Sequence, residues 1–492
     1  MASRNATVLY KSEIMAKVLL INVPFYRLLG SRYNANSLGI AYIASVLNQN
    51  GHDAWLYNAD YQNERTFANL KSIFAGLNDY KKYFEDENHP IWEEVLNNIL
   101  EFQPDWVGWT MYTANLTSVK ILSKKLKERA PHVKQVVGGP HATMDAELLN
   151  KLTAIDYQVK REGEFAMLDL VNGKIPKEIS GVTSRNRFGG IDDNGDADVI
   201  KPVEQLPFPE RKKFWKIPEE EKRFVDVSYV VTIRGCPYRC SYCASPEHWK
   251  RNKTQYRSPD DVLLELKDLK ENYWNQVKEF DYSASSNIDN KDKLLIKDNA
   301  IVYFVDDVFT IKKDRLQKIL QGMIDQNLQM PFKAELRTDH LDPEICKLLK
   351  DAGCVRAKVG VETGSPRLLK QIQKDETREE IIAGCKMLKD AGVPFTCYLM
   401  TGFPGETDED LDMTISLAKE VQADYYSLSV MSPYYGTKIY RDLIEQGHPL
   451  DKTPDFYFFH QSSDMMVNDT ISKEKLQEYL SLNDLNIGKG YI

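Results

Sequence analysis

The stretch Arg234-Gly-Cys236-Pro-Tyr-Arg-Cys240-Ser-Tyr-Cys243 puts three cysteines at CxxxCxxC spacing on one short loop. Three thiolates so placed can take three corners of a 4Fe–4S cube, leaving the fourth iron without a protein ligand and open to a small molecule. Zinc is the competing reading, with His248, five residues after Cys243, completing a Cys3His set. Zinc spacings, however, are more often pairs of cysteines set far apart than a tight triplet. Cys346, Cys354, Cys385 and Cys397 lie in apolar helix-like or strand-like patterns and read as small core residues. No cysteine precedes residue 236, so the pattern is not a disulfide framework, and a reducing, cytoplasmic setting is expected.

A loop of this kind needs a frame, and the sequence after residue 225 supplies six strand–helix units. Strands are expected at 227–234, 301–306, 332–337, 355–361, 395–401 and 425–430. Helices are expected at 314–326, 343–352, 378–391 and 408–422. A further helix opens at Ser258-Pro259-Asp260-Asp261, where Ser caps and Pro fills the first turn. Six units make a partial (β/α)6 barrel, whose chemistry belongs at the carboxyl ends of its strands. The candidates there are Asp306 and Asp307, Glu335 and Arg337, Glu362, and the turn Thr401-Gly402-Phe-Pro-Gly-Glu406.

Strand and helix patterns also alternate from Lys17 to about residue 160. Residues 18–23 form a continuous apolar run of buried parallel-strand type, and residues 36–50 have helical periodicity ending at Gly51. Further strands are expected at 54–57, 106–110, 135–137 and 157–160, with helices at 116–129 and 144–152. Such alternation implies a doubly wound, Rossmann-like parallel sheet that binds its ligand beyond the carboxyl ends of its strands. The loops there carry Asn22-Val23-Pro24, Thr110-Met111-Tyr112 and Gly138-Gly139-Pro140-His141. An insertion at 61–103 contains an apolar stripe (Ile91, Trp92, Val95, Leu96, Ile99, Leu100, Phe102) expected to pack on the sheet. The α/β chain thus divides into an N-terminal domain at 15–175, a Pro- and Gly-containing linker at 176–224, the barrel at 225–431 and a small C-terminal region at 432–492. Residues 281–299 read as a surface excursion, the aromatic run 455–460 as cavity lining or a barrel seal, and Met15 as a natural start after an upstream extension.

Bulk composition narrows the function. A net charge of −8 with no basic block argues against a nucleic-acid partner. No apolar run approaches the ~20 residues a membrane span needs, and residues 1–14 lack the apolar core of a signal peptide.

The cysteine motif, with Tyr242 just before its last cysteine and the barrel pattern around it, resembles the radical S-adenosylmethionine (SAM) enzymes. The segments Asn36-Ser-Leu38-Gly39-Ile-Ala-Tyr-Ile-Ala44, Val136-Val-Gly-Gly-Pro-His-Ala-Thr143 and Arg161-Glu162-Gly163-Glu164, with the Asn22-Val23-Pro24 turn, resemble the cobalamin-binding domain fused to many of them. The resemblance implies a 4Fe–4S cluster on Cys236, Cys240 and Cys243. It implies SAM near Tyr242, Asp306, Asp307, Arg337, Glu362 and Gly402, with Arg337 gripping a carboxylate and Glu362 meeting ribose hydroxyls. It implies cobalamin against Leu38, Gly39, Thr110, Tyr112, Gly138, Gly139, Pro140, His141, Glu162, Gly163 and Glu164. The family's Gly-Gly-Glu is absent, as is the DxHxxG motif that supplies a lower axial histidine elsewhere, so His141 is read as a turn residue. No catalytic residue is assigned.

The implied activity is methylation of an unactivated carbon: a 5′-deoxyadenosyl radical abstracts hydrogen and cobalamin, recharged by a second SAM, delivers methyl. The implied partners are a small-molecule, lipid or peptide substrate and an electron donor of flavodoxin or ferredoxin type. A cyclase or rearrangement enzyme with the same cofactors is one alternative, and a non-catalytic cobalamin sensor is another. A methylthiotransferase is disfavoured because that group resembles chains with cysteines in the N-terminal domain.

Overall fold

A computed structural model describes residues 15–29, 35, 37–61, 80–224, 227–249, 254–273, 301–452, 468 and 470–482, which fold as two compact units. The expectations for residues 1–14, 281–299 and 455–460, and for part of the insertion at 61–103, lie outside the described residues.

The first unit runs to Val225 and takes in Tyr434–Gly436 and the stretch from Tyr440. Its strands are β1 (Lys17–Asn22), β2 (Asp53–Asn58), β3 (Trp106–Thr110), β4 (Lys134–Gly138), β5 (Tyr157–Val159), β6 (Val182–Arg185) and β7 (Ile191–Asp193). They form one sheet in the order β2-β1-β3-β4-β5-β6-β7. The pairs from β2 to β5 are parallel. Because β2 and β3 flank β1 on opposite sides, the winding reverses at β1, and the crevice between the carboxyl ends of β1 and β3 is the natural ligand position.

Leu19, Leu20 and Ile21 are buried on both sides of the sheet, which is why β1 reads as an unbroken apolar run. The insertion's stripe packs as expected: helix Pro90–Phe102 buries Ile91, Trp92, Val95, Leu96, Ile99 and Phe102. Its solvent edge is tied to the neighbouring helix Leu116–Arg129 by Glu93, which meets Lys125 at 2.9 Å and Arg129 at 2.5 Å.

Two local expectations are corrected. The residues read as a linker supply β6 and β7, which extend the sheet in antiparallel sense, so the sheet is mixed. The single helix expected at 144–152 is two short ones, Pro140–Met144 and Leu148–Lys151. Between them Asp145 is extended, and its buried carboxylate accepts the Glu147 N–H and an ion pair from Lys151, a local bonding pattern that competes with helix continuation.

The second unit holds six parallel strands in the order β15-β14-β13-β12-β11-β8. They are β8 (Tyr229–Val230), β11 (Val302–Phe304), β12 (Phe332–Leu336), β13 (Cys354–Glu362), β14 (Phe395–Thr401) and β15 (Tyr425–Val430). The single strand expected at 227–234 is broken. After β8 the chain bends, and β9 (Ile233–Arg234) pairs with β10 (Gln255–Tyr256) in a separate antiparallel ribbon. Helices Pro259–Asn272, Lys313–Asp325, Pro343–Ala352, Arg378–Asp390 and Asp408–Val421 cover the outer face and bury a continuous apolar core against it. Ser258 caps the first of these, accepting the Asp261 N–H. The described residues beyond 432 are shared between the two units.

Candidate functional site

In the second unit the three cysteines sit on the loop between β9 and the short helix Ser245–His248, each partly exposed and none in a disulfide. Gly235 starts the loop at φ +94°, a left-handed turn where a side chain would be strained and would press on Trp249. The loop is anchored by its backbone: the Ser241 N–H donates to Ile372 O at 2.8 Å, and Ser241 O accepts the Ile439 N–H. Backbone N–H groups of Tyr238 and Ser245 point at the sulfurs of Cys236 and Cys243. Burial pushes the Cys236 thiol up to about 11 and raises Cys243 and Cys240 as well, with Asp307 adding to the rise at Cys236 and Cys243. Three thiols at this spacing on one loop, two of them met by backbone N–H groups, make a donor set that fits an iron–sulfur cluster. The thiols are not gathered about one point, since among the described residues no three His, Cys, Asp or Glu side chains are placed to share a single ion. His248 turns its ring edge to Trp249, at 4.8 Å between centroids.

The strand ends place the remaining expected residues around this loop in different ways. Asp307 stays reachable by solvent, accepts the Ser245 hydroxyl, and is raised by the surrounding barrel wall. Glu362 sits at a bulge in the β13–β14 register with φ +64°. The bulge re-aims its side chain. It shares a hydrogen bond with Tyr242 and lies 3.8 Å from Lys374 Nζ. Gly360 makes room for that pair, since a Cβ there would stand 2.8 Å from the Glu362 carboxylate and 3.1 Å from Lys374 Nζ. Burial raises Glu362 while Lys374 pulls it back. The Gly402 N–H donates to Glu406 at 2.6 Å, as does Phe403 at 3.0 Å, which holds the turn after β14 open.

Two expected residues are already committed elsewhere. Arg337 is buried, lays its guanidinium 3.6 Å over the Tyr238 ring, and donates to both Asp339 oxygens and to the carbonyls of Lys374 and Asp375. Its fork grips the protein, in place of the expected carboxylate of a ligand, and clamps the cluster loop to the segment after β13. Replacing it strands buried partners, a loss of about 3–5 kcal/mol. In Arg337→Met, iron content after reconstitution is expected to drop while the far-UV circular dichroism stays close to wild type; unchanged iron would refute the clamp.

Asp306 is likewise buried and accepts the N–H groups of Thr232 and Ile233 and the Thr232 hydroxyl, which creates the bend that ends β8. Burial raises it from 3.8 to about 6 despite those bonds. A carboxyl raised on folding gives full stability below its unfolded pKa and loses it as pH rises through the folded one. Asp306→Asn keeps the acceptor and removes the charge, so it should gain stability on wild type between pH 4 and 7, by up to about 3 kcal/mol. Thermal melts across that range check this; a constant difference would contradict it.

Sequence reasoning passed over Tyr238, His340, Lys374 and Glu376. Tyr238 lies inside the motif and pairs with His340 Nε2, whose Nδ1 meets Thr310 at 3.1 Å. Lys374 is buried in a stretch that reads as a polar surface turn. Burial alone would lower its ammonium, but Glu362 and Glu376 more than restore it. No spacing in the sequence signals that fold-made contact.

In the first unit the four expected segments meet at the carboxyl edge of the sheet. The Met111 N–H donates to Gly138 O at 2.8 Å, and the His141 N–H to Met111 O at 3.2 Å. Gly139, at φ +104°, lies so close that a Cβ would stand 2.8 Å from Met111 O and 3.3 Å from Thr110 Oγ1. The Arg161 N–H donates to Thr143 Oγ1, drawing the turn after β5 alongside, and Gly163 lies against Ile43 of helix Leu38–Gln49. Gly39, near the start of that helix, faces open space, and Tyr112 is 51 % exposed. This edge fits a broad, flat ligand: small residues and backbone line it, and among the described residues no side chain fills it at Gly39.

Not every expected residue faces that edge. Glu162 is buried and accepts the Ile200 N–H at 2.9 Å, and Glu164 is buried at the start of helix Glu164–Val171. His141 is buried too, with Nδ1 2.9 Å from the Thr113 hydroxyl and Nε2 3.6 Å from Asp145. Tyr435 closes over that pair, its hydroxyl 3.4 Å from Asp145 and its ring 5.1 Å from the imidazole.

Residues 230–418 match the model of the radical SAM superfamily, and residues 29–171 match that of the B12 binding domain. The chain belongs to the cobalamin-binding radical SAM enzymes. The two family domains bring a 4Fe–4S cluster, SAM and cobalamin, which sets the zinc reading aside. Among family relatives, an uncharacterized methyltransferase of Pyrococcus horikoshii is 27% identical over 82% of this chain and 77% of its own length. The anaerobic magnesium-protoporphyrin IX monomethyl ester cyclase of Rubrivivax gelatinosus is 24% identical over 79% of this chain and 66% of its own. Two solved structures share the fold. The radical SAM methyltransferase TsrM from Kitasatospora setae has a TM-score of 0.62 at 17% identity, over 87% of this chain and 76% of that one. The cobalamin-dependent radical enzyme OxsB has a TM-score of 0.61 at 17% identity, over 93% of this chain and 58% of that one. Among the described residues no helix is long and apolar enough to cross a membrane.

Proposed function

We propose that this family member methylates an unactivated carbon of a small-molecule substrate, with electrons from a flavodoxin- or ferredoxin-type donor in the cytoplasm. The observation that carries the reading is the pairing of a cysteine loop built for an open iron with a glycine-lined sheet edge built for cobalamin. When bound, the cluster and SAM supply the hydrogen-abstracting radical, and cobalamin supplies the methyl group.

The protein's own part is positional. Cys236, Cys240 and Cys243 hold the cluster, and Tyr238 with Arg337 fixes the loop that carries them. Tyr242, Asp307, Glu362 and the Gly402 turn surround the place where SAM would meet the open iron. The Asp307 carboxylate is the accessible acceptor for a SAM amino group, and Glu362 an acceptor for hydroxyls. In the other domain Leu38, Gly39, Thr110, Tyr112 and the Gly138-Gly139-Pro140-His141 turn offer backbone and small side chains to cobalamin, while Glu162, Gly163 and Glu164 shape the neighbouring turn. His141, held by Thr113 and Asp145, is a turn residue in this reading and gives no axial ligand.

The test is isotopic. Reduced, reconstituted protein is incubated with a metabolite extract and SAM bearing a trideuteriomethyl group. A metabolite that gains one trideuteriomethyl on carbon is the expected result. Consumption of a metabolite with 5′-deoxyadenosine release and no label would favour the cyclase reading, which the Rubrivivax relative keeps in view.

A further inference from the structure

The described residues beyond 452 are Asn468 and the segment 470–482, and they grip one feature of the second unit. Asn468 is buried, and both ends of its amide are engaged. Its Nδ2 donates to Phe403 O at 2.6 Å and to Glu406 O at 2.9 Å, 65 and 62 residues away in sequence. Its Oδ1 accepts the N–H groups of Thr470 at 2.8 Å and Ile471 at 3.3 Å, an Asx turn that leads into helix Lys473–Ser481. The Thr470 hydroxyl meets the Glu406 carbonyl as well. The helix that follows is tied to helix Asp408–Val421. The Ser472 N–H donates to Asp408 Oδ1 at 2.8 Å, Lys475 Nζ lies 2.5 Å from Asp412 Oδ1, and Tyr479 is fully buried.

The gripped feature is the turn from Thr401 to Glu406 that follows β14. Gly402 and Gly405 stand in it at φ +86° and +69°, where glycine moves freely, so its shape depends on the bonds made to it. From within, Glu406 Oε2 accepts the Thr401 hydroxyl and the N–H groups of Gly402 and Phe403. From outside, each carbonyl from Phe403 to Glu406 is taken by a side chain. Gln371 Nε2 donates to Pro404 O and Arg367 to Gly405 O, both at 2.8 Å, while Asn468 takes the carbonyls of Phe403 and Glu406. Gln371 and Arg367 belong to helix Pro366–Gln371, and the next residue, Ile372, anchors the cysteine loop through the Ser241 N–H. Phe403 sets its ring 6.0 Å from that of Tyr242 in the same loop. The turn is therefore braced toward the cysteine loop on one side and by Asn468 on the other. Removing the Asn468 amide takes a donor from each of two carbonyls, and a turn rich in glycine can rearrange to recover them.

We propose that Asn468 is a positioning residue for SAM: it locks the Gly402 turn in the shape that meets SAM beside the cluster. The inference rests on the proposed function, in which that turn borders SAM, and it gives the C-terminal region a part in SAM binding.

Equilibrium dialysis of labelled SAM against the anaerobic, reconstituted holoprotein tests it, before reduction so that SAM binds without cleavage. Asn468→Ala should weaken SAM binding about tenfold, the combined value of two hydrogen bonds to buried carbonyls. Asn468→Asp, which keeps the Oδ1 acceptor and loses both donors, should weaken it at least as much. Both variants should keep the wild-type cluster absorbance. Once reduced and saturated with SAM, both should form 5′-deoxyadenosine near the wild-type rate, a raised KM with unchanged kcat. Lys475→Ala, which loosens the same helix without touching the turn, should bind SAM as wild type does. Wild-type affinity in both Asn468 variants, or equal weakening in Lys475→Ala, overturns the inference. Gly402→Val, strained at φ +86°, separates it from the reading beneath it. Lost SAM binding there, with wild-type affinity in the Asn468 variants, sinks only the brace. Wild-type affinity in Gly402→Val removes the turn from the SAM site, and the inference falls with it.

Discussion

In a Cys240→Ala variant, 5′-deoxyadenosine formation is expected to fall to the level of a protein-free control, with cobalamin retention unchanged. Cys240 is the middle of three thiols on a loop whose hold on the barrel is made by backbone, through Ser241 to Ile372 and Ile439. Removing the sulfur leaves those bonds and the Arg337–Tyr238 stack in place, so the fold persists at a cost of about 1 kcal/mol. With two thiolates left, the cluster loses a corner and with it the geometry that exposes one iron to SAM. Iron content, the visible absorbance of the cluster and nucleoside yield should fall together. Nucleoside formation at the wild-type rate would show that these cysteines do not carry the chemistry.

The second large effect is expected at Gly139. A Val there must take up φ +104° with its Cβ 2.8 Å from Met111 O, against backbone that cannot rotate away. A β-branched residue in that region is a steric outlier, costing about 1–3 kcal/mol in strain. The β3 and β4 ends must part, and they carry Thr110, Tyr112 and the Gly138 turn. Gly139→Val should therefore lose cobalamin on desalting yet keep its cluster and its ability to cleave SAM. Gly39→Trp separates binding from folding, because among the described residues no atom beyond its own helix turn lies within 4 Å of an added Cβ. It should also lose cobalamin, with an unchanged melting temperature. Full cobalamin retention in both variants would remove the sheet edge from the account.

Most of the strand–helix frame was legible because it rests on local pattern. The unbroken apolar run of β1, the Ser258 cap and the period of each barrel helix all report burial that side-chain type alone encodes. The CxxxCxxC loop and the Gly-Gly-Pro-His turn were legible for a related reason: their chemistry is packed into consecutive residues. What escaped was made by tertiary contact. Arg337 reads as a free fork from its place at a strand end, yet Asp339 and the Lys374 and Asp375 carbonyls take that fork. Asp306 reads as a ligand for the same reason, though its bonds go to Thr232 and Ile233, 74 and 73 residues away in sequence. The antiparallel β6 and β7 hide in a stretch whose Gly and Pro residues mimic a linker, because short edge strands carry little periodicity.

One chain is expected to use SAM in two ways, by cleavage at the cluster and by methyl donation to cobalamin. The most direct measurement is chromatographic quantification of 5′-deoxyadenosine and S-adenosylhomocysteine from one anaerobic, reduced preparation that holds both cofactors. Both nucleosides are expected, with 5′-deoxyadenosine lost in Cys240→Ala and S-adenosylhomocysteine lost in Gly139→Val. S-adenosylhomocysteine absent from a preparation with a full complement of cobalamin would contradict the account, and so would 5′-deoxyadenosine that survives loss of the cluster.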